Sequence, residues 1–243
     1  MSYAYLLFFF ISTFLISPAD AFLNDNVIYG NDDRKEVNQI TRPMIHLQTK
    51  AIGMMTLKYK LTAIDDEYFK FQTNDLKTSN NLCPGSRFEN QPALGLCSGF
   101  LVSPDTLVTA GHCIARESDC RRHSWVFNFT SDVKDKIKKS NVYNCKKIVT
   151  TNEFTSEKNI KDYAVIKLDR PVVGATPLQL RRGGKVRSRT KVYVIGHPDG
   201  IPMKITGNAR VKPFVKFSFS FGEDFGLNRH DNYKARKDVF LAN

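Results

Sequence analysis

A histidine lies at the end of a predicted hairpin, in segment 97–113, which reads CSGFLVSPDTLVTAGHC. Two short apolar runs, 100–102 and 107–110, flank a Pro-Asp turn, and this pattern is typical of two antiparallel strands. Because His112 follows the second run, the hairpin would hold its side chain at the edge of a sheet. A histidine fixed in such a place can accept a proton and return it, which is the chemistry of a general base.

Asp162 is a candidate partner for His112, since it immediately precedes the apolar run YAVIKL at 163–168. A carboxylate at the mouth of a strand can be partly buried and still reach a neighbouring histidine. Such a group would hold the imidazole in one tautomer and stabilise its protonated form. Taken alone, this pattern favours an ordinary aspartate in a polar loop, and the role as partner of His112 depends on the family resemblance described below. Asp169 is a weaker candidate, because Asp-Arg-Pro is common turn chemistry.

The sequence contains five cysteines, at Cys83, Cys97, Cys113, Cys120 and Cys145. Cys97 and Cys113 end the predicted hairpin, which brings them close enough for a disulfide. Cys120–Cys145 is the preferred second pair, and the odd number leaves a free thiol or a partner outside this sequence. A rival hypothesis makes His112, Cys113 and Cys120 metal ligands, although the paired C-x-x-C spacing typical of zinc sites is absent.

These motifs closely resemble those of the trypsin-like (chymotrypsin-fold) serine proteases. Residues 109–113, Thr-Ala-Gly-His-Cys, are similar to the family's histidine motif, and residues 162–168 resemble its Asp-Ile-Ala-Leu motif. The resemblance implies an all-β fold of two Greek-key β-barrels, with His112 as the general base and Asp162 as its orienting acid. It implies hydrolysis of protein or peptide substrates through an acyl-enzyme, without a metal or organic cofactor.

The family's nucleophile lies in a Gly-Asp-Ser-Gly or Gly-Asn-Ser-Gly turn, and no such turn follows Asp162. No serine fits this role. Ser98 lies in the predicted hairpin strand and Ser188 in the charged linker, whereas Ser218 and Ser220 alternate with aromatic residues in a predicted strand and lack the flanking glycines that would shape an anion pocket. We therefore expect a chain truncated before the serine motif, with an incomplete second barrel and no activity on its own. The alternative is a non-catalytic homologue that binds anionic partners.

Length and composition, with 243 residues of which 42% are hydrophobic and 25% charged, fit an ordinary globular protein. Short runs between turn residues predict an all-β fold without a helix that the pattern supports clearly. Strands are predicted at 125–129, 142–149, 163–168, 192–196 and 216–221. Segment 52–61 fits a strand or a helix, and 74–92 is predicted as a loop. The predicted domains are a first barrel at 27–170, a linker at 171–186 and a partial second barrel at 187–243.

The first 21 residues have the pattern of a secretory signal peptide, with an apolar run and an Ala-x-Ala type cleavage site. Residues 22–26 are interpreted as a short propeptide, because Val27-Ile28 resembles the mature start of bacterial glutamyl endopeptidases. The bond between Asn26 and Val27 is then an activation cleavage, or Val27 lies in a frayed terminus. We expect a secreted or periplasmic protein without stable membrane insertion after signal cleavage.

The formal charge is +12, from 36 basic and 24 acidic residues. Basic residues cluster at 134–139 and 181–189, which indicates either attraction to anionic surfaces or a solvated basic face. No aromatic-rich nucleic-acid motif accompanies them, so we expect no nucleic-acid partner. The Gly196-His197-Pro198 segment resembles a structural turn of bacterial relatives. Residues 128–130, Asn-Phe-Thr, form a glycosylation sequon, which matters only in a eukaryotic secretory pathway.

Overall fold

The computed structural model describes residues 32–153 and 161–211. The predicted signal peptide, the propeptide at 22–26 and the strand at 216–221 lie outside these residues. Helices in the described part are α1 (Pro43–Thr49), α2 (Leu76–Asn80) and α3 (Glu117–Arg122). Strands there are β1 (Lys35–Glu36), β2 (Ile52–Leu57), β3 (Leu61–Ala63), β4 (Tyr68–Phe71), β5 (Cys97–Ser103), β6 (Thr106–Thr109), β7 (His123–Phe127), β8 (Lys136–Lys138), β9 (Val142–Asn152), β10 (Tyr163–Leu168), β11 (Lys191–Gly196) and β12 (Lys204–Arg210).

Six antiparallel strands close into a barrel in the order β10-β6-β5-β2-β7-β9. The expected all-β fold is confirmed by this barrel and by the small share of helix. Strand β7 is buried along its whole length, because its two faces enter different cores. Trp125 and Phe127 pack inside the barrel, whereas Val126 packs in a second cluster with Met54 and Phe129. Each large apolar side chain buried in this way stabilises the fold by about 1.5–3 kcal/mol.

Gly99 on β5 explains how the indole of Trp125 fits inside the barrel. A Cβ at residue 99 would lie 2.5 Å from Leu107 Cδ2 and 2.7 Å from Trp125 Cζ3. These distances are shorter than van der Waals contact, so a side chain there would displace the core. Gly99 of the hairpin therefore has a packing role.

Two small sheets accompany the barrel. One has the order β3-β4-β8, and the other has the order β1-β12-β11. Strands β11 and β12 of the second sheet lie in the segment predicted as a partial second barrel, 187–243. In this sheet Lys35 and Glu36 of β1 pair with Ile205 and Lys204 of β12, and the predicted domain boundaries stay a prediction. The closed barrel itself lies within 52–168.

The short helices were not predicted, although local signals for them are present. Pro43 occupies the first turn of α1, where its missing N–H costs nothing. Asp75 caps α2 by accepting a hydrogen bond from the backbone N–H of Thr78 at 2.7 Å. Asn81 ends that helix in the left-handed conformation, with φ at 52°. The predicted loop at 74–92 thus contains a helix, and the undecided segment 52–61 begins as strand β2.

The predicted linker is held against the barrel. Residues 171–190 belong to no helix or strand. The backbone N–H of Val172 nevertheless donates to the Pro104 carbonyl at 2.8 Å, and that of Leu178 donates to the Leu101 carbonyl at 2.8 Å.

A membrane-spanning helix would need a long apolar stretch, and none of the helices in the described part of the chain has one.

Candidate active site

His112 and Asp162 meet because the strands that carry them are neighbours. His112 lies in a 3-10 turn, Gly111–Cys113, directly after β6. Asp162 directly precedes β10, and the antiparallel pairing of β10 with β6 aligns Ala164 with Thr109. The end of one strand and the beginning of the other therefore lie side by side, at the same edge of the barrel.

Both oxygens of the Asp162 carboxylate contact His112. The backbone N–H of His112 donates to Oδ1 at 2.9 Å, and the ring Nδ1 lies 2.7 Å from Oδ2. An ionised carboxylate only accepts hydrogen bonds, so Nδ1 carries the proton and Nε2 is left as the acceptor. The His112 side chain is 62% exposed, and that of Asp162 is 30% exposed. Nε2, the hydrogen-bond acceptor, therefore belongs to a ring that solvent can reach.

The environment keeps Asp162 ionised. Burial raises the pKa of this carboxyl, but hydrogen bonds from the backbone and ring of His112 and from the Gly111 N–H outweigh that effect. The net result is a pKa below the ordinary aspartate value. An ionised Asp162 can hold the histidine tautomer and stabilise an imidazolium.

Gly111 permits this close arrangement, and the sequence analysis gave it no role. A Cβ at this position would lie 2.0 Å from the Asn152 carbonyl oxygen and 3.0 Å from Asp162 Oδ1. The end of β9 therefore crosses directly over residue 111, and every larger side chain would separate the two strands. A glycine immediately before the histidine was the sequence signal for this contact.

The trypsin-like peptidase domain, as a protein family, matches residues 97–240, which is more than half of the sequence. The chain belongs to the trypsin-like peptidase family. Among solved structures it is similar to human heparin binding protein, with 13% sequence identity and a TM-score of 0.44. That alignment covers 74% of this chain and 65% of the other, so the chain spans less than two thirds of that protein's length. No curated protein matches the sequence.

The two disulfides of this trypsin-like peptidase domain lie in different parts of the fold. Cys97–Cys113 joins β5 to the residue after His112, across a Cα–Cα distance of 6.3 Å. Cys120–Cys145 joins α3 to β9, with 5.1 Å between the Cα atoms. Cys83 is the free cysteine of the described residues, and its side chain is exposed.

The metal-site hypothesis for His112, Cys113 and Cys120 is contradicted by these bonds. Cys97, His112 and Cys113 do place their potential ligand atoms within 4.8 Å of one another. A metal-binding cysteine uses a thiolate, and the sulfurs of Cys113 and Cys120 are both bonded to other cysteines. The histidine of this trypsin-like peptidase domain therefore has Asp162 as its partner.

Ser98 and His197 connect the barrel of the trypsin-like peptidase to its second sheet. The His197 backbone N–H donates to Ser98 Oγ at 2.8 Å, and the ring Nδ1 lies 3.1 Å from the Ile201 carbonyl. Burial lowers the pKa of His197 to about 4, so the ring is neutral. Ser188 is exposed in the segment that follows the barrel. The predicted strand with Ser218 and Ser220 lies outside the described residues.

Proposed function

We propose that this protein acts as an exported serine endopeptidase, which cleaves peptide bonds through an acyl-enzyme. The observation that carries the proposal is the 2.7 Å contact between Asp162 Oδ2 and Nδ1 of a well-exposed His112. In this role Nε2 of His112 takes the proton of an attacking serine and later returns it to the leaving amine. Asp162 remains ionised throughout and stabilises the imidazolium. Proteins and peptides are the proposed substrates.

The nucleophile of this proposal is a serine in a glycine-rich turn that also supplies oxyanion donors. The 243 residues contain no such turn, so the complete reaction needs a hydroxyl group from outside this sequence. Within the family, we propose a similarity to exported bacterial members such as the glutamyl endopeptidases. It is supported by two sequence segments, Val27-Ile28 and Gly196-His197-Pro198. We propose no preference for a particular substrate side chain.

The test uses protein expressed from the natural gene, together with any sequence that follows Asn243. We expect labelling by a fluorophosphonate probe and hydrolysis of a protein substrate. His112→Ala should remove nearly all turnover, because base and nucleophile act as a unit. Asp162→Asn should lower turnover by about 10⁴-fold, as expected for loss of the correct tautomer.

Asp169→Asn is the matched control. The sequence also offers Asp169 as a weaker candidate for the partner of His112. Its oxygens, however, contact Asn144 and Arg170 rather than a histidine. We expect turnover to stay within about twofold of wild type, since its contacts lie on the surface. Full activity of His112→Ala, or equal losses in the two aspartate variants, would refute the assignment.

A non-catalytic homologue that binds anionic partners is the second candidate. It is supported by the absence of a serine-bearing turn and by the net charge of +12. Retention on dextran sulfate that weakens steeply with salt, together with no labelling by the probe, would favour it over the peptidase.

A further inference from the structure

We infer that Asn128 is the acceptor of an N-linked glycan when the protein passes through a eukaryotic secretory pathway, and that this acceptor lies at the end of the barrel opposite to His112 and Asp162. Residues 128–130 are the one Asn-x-Ser/Thr triplet of the sequence, and the middle residue is Phe rather than Pro. Transfer to such a triplet joins the asparagine amide to a sugar, and the folded protein must then keep that asparagine at its surface to accommodate the bulky glycan.

The structure leaves Asn128 accessible while it fixes the residue that follows. Asn128 comes directly after β7, is exposed and has φ at 57°, which is the left-handed conformation of a turn. Phe129 is fully buried, and its ring packs edge-on against Phe71 with 5.8 Å between centroids. The turn therefore directs the asparagine to solvent because the phenylalanine must enter the core.

The surroundings of Asn128 have room for a sugar. A surface depression of about 360 Å³ lies next to it, lined in part by Tyr68, Asp132, Lys138 and Asn141. The side-chain amide of Asn128 makes one long hydrogen bond, in which Nδ2 donates to Asn141 Oδ1 at 3.4 Å. A glycosylated amide keeps one N–H, so this hydrogen bond can persist after modification.

The transfer is chemically complete with one co-reactant, a lipid-diphosphate-linked oligosaccharide. A bond forms between Nδ2 and the anomeric carbon of the first sugar, and the bond from that carbon to the diphosphate breaks. One amide proton is released, and the lipid diphosphate leaves. The disulfides Cys97–Cys113 and Cys120–Cys145 are those of a protein that folds in an oxidising compartment, and the eukaryotic secretory pathway, which supplies this donor, is one such compartment.

Strand β9 separates the glycan from the catalytic pair. Asn141, which contacts Asn128, directly precedes β9, whereas the carbonyl of Asn152 at the other end crosses Gly111. Eleven residues of strand span about 35 Å along the chain at about 3.3 Å per residue. A glycan at Asn128 therefore leaves the exposed face of His112 open, and its removal should not change substrate access.

The experiment secretes the full chain, with its own N-terminal segment, from glycosylating yeast or mammalian cells. We expect a band that a peptide N-glycosidase shifts to lower mass. Digestion in heavy-oxygen water should convert Asn128 to labelled aspartate in peptide mapping. Asn128→Gln and Thr130→Ala should abolish the shift, whereas Thr130→Ser, which keeps the hydroxyl, and Asn141→Gln should retain it.

Secreted and cell-retained protein are both tested for the glycan, so that glycosylation is also measured for a variant that folds poorly and is not secreted. Non-reducing peptide maps of the two disulfides report folding independently of the glycan. Wild-type protein with both disulfides and an unmodified Asn128 would overturn the inference. A glycan that persists in Asn128→Gln, or one that is equally lost in Thr130→Ser and Thr130→Ala, would overturn it as well.

Discussion

His197 illustrates at the scale of a single residue how burial sets charge. Its side chain is buried next to the ring of Phe129, and Nε2 has no hydrogen-bond partner among the described residues. Burial lowers its pKa from 6.5 to about 4, the Ile201 carbonyl opposes this shift, and the nearby Lys204 charge adds to it. The folded protein therefore holds this imidazole neutral over a range in which an unfolded chain would protonate it.

We predict that His197 makes the protein acid-sensitive. As the pH falls from 6.5 to about 4, the unfolded chain binds a proton that the folded protein does not bind, so stability decreases. The shift corresponds to about 3 kcal/mol of unfolding free energy. Urea unfolding over this pH range should show a weaker pH dependence for His197→Asn, which keeps a donor for the Ile201 carbonyl. Parallel curves for the variant and wild type would assign the acid sensitivity to other groups.

At the scale of secondary-structure elements, Lys204 on β12 makes contacts that link this strand to β1 and to the segment before β5. Its buried ammonium donates to the Glu36 carboxylate at 3.2 Å, to Gln91 Oε1 at 2.7 Å and to the Pro202 carbonyl at 2.6 Å. Burial lowers the pKa of Lys204 to about 8, against the opposing effect of Glu36. At neutral pH the lysine is therefore mainly charged, and the Glu36 carboxylate compensates that charge.

We predict that Lys204→Met destabilises the protein by about 3 kcal/mol, because it leaves the Glu36 charge buried without its partner. The double variant Lys204→Met/Glu36→Gln should cost less than the sum of the single variants, with a coupling of at least about 1 kcal/mol. Urea unfolding of the four proteins in the cycle measures this coupling.

Lys167→Met is the control for that cycle. Lys167 contacts Asp105 at 2.6 Å, but each side chain of this pair is 35% exposed. Since solvent screens such a pair, its loss should cost at most about 1 kcal/mol. Additive effects at Lys204 and Glu36, or an equal cost at Lys167, would show that burial does not strengthen the Lys204 contact.

Elements that depend on nearby residues could be predicted from the sequence. The hairpin at 100–110 and strand β10 followed from alternating apolar runs and turn residues. The meeting of Asp162 with His112 followed from the family resemblance, and the catalytic role of the pair stays a proposal. The pairing of β1 with β12 could not be predicted, because the pattern of residues at 35–36 does not indicate which distant strand β1 pairs with. Helices α1 and α2 were missed because two turns of helix show too little periodicity.

At the scale of the whole molecule, the two disulfides of the described residues each link separate elements of the fold. They close segments with sequence separations of 16 and 25 residues. Cys97–Cys113 is adjacent to His112 in the sequence, whereas Cys120–Cys145 joins α3 to β9. Cys97–Cys113 therefore stabilises the edge that carries His112, whereas Cys120–Cys145 stabilises the body of the barrel.

We predict that each disulfide contributes about 3 kcal/mol to the free energy of unfolding, by limiting the unfolded chain. Cys97→Ala/Cys113→Ala should lower stability and also broaden or shift the ring resonances of His112 in NMR. Cys120→Ala/Cys145→Ala should lower stability to a similar extent and leave those resonances in place. Identical His112 spectra in the two double variants would show that Cys97–Cys113 does not position the histidine.

The pairing of β1 with β12 also sets the order of events during synthesis. Glu36 emerges from the ribosome long before Lys204, which lies 168 residues later in the chain. All strands of the closed barrel are made in the interval, and they can pair with one another first. The two residues of β1 must wait without their strand partner until β12 appears. Among the described strands, the first to be synthesised is thus one of the last to find its strand partner, so the pairing of β1 depends on synthesis of the later part of the chain.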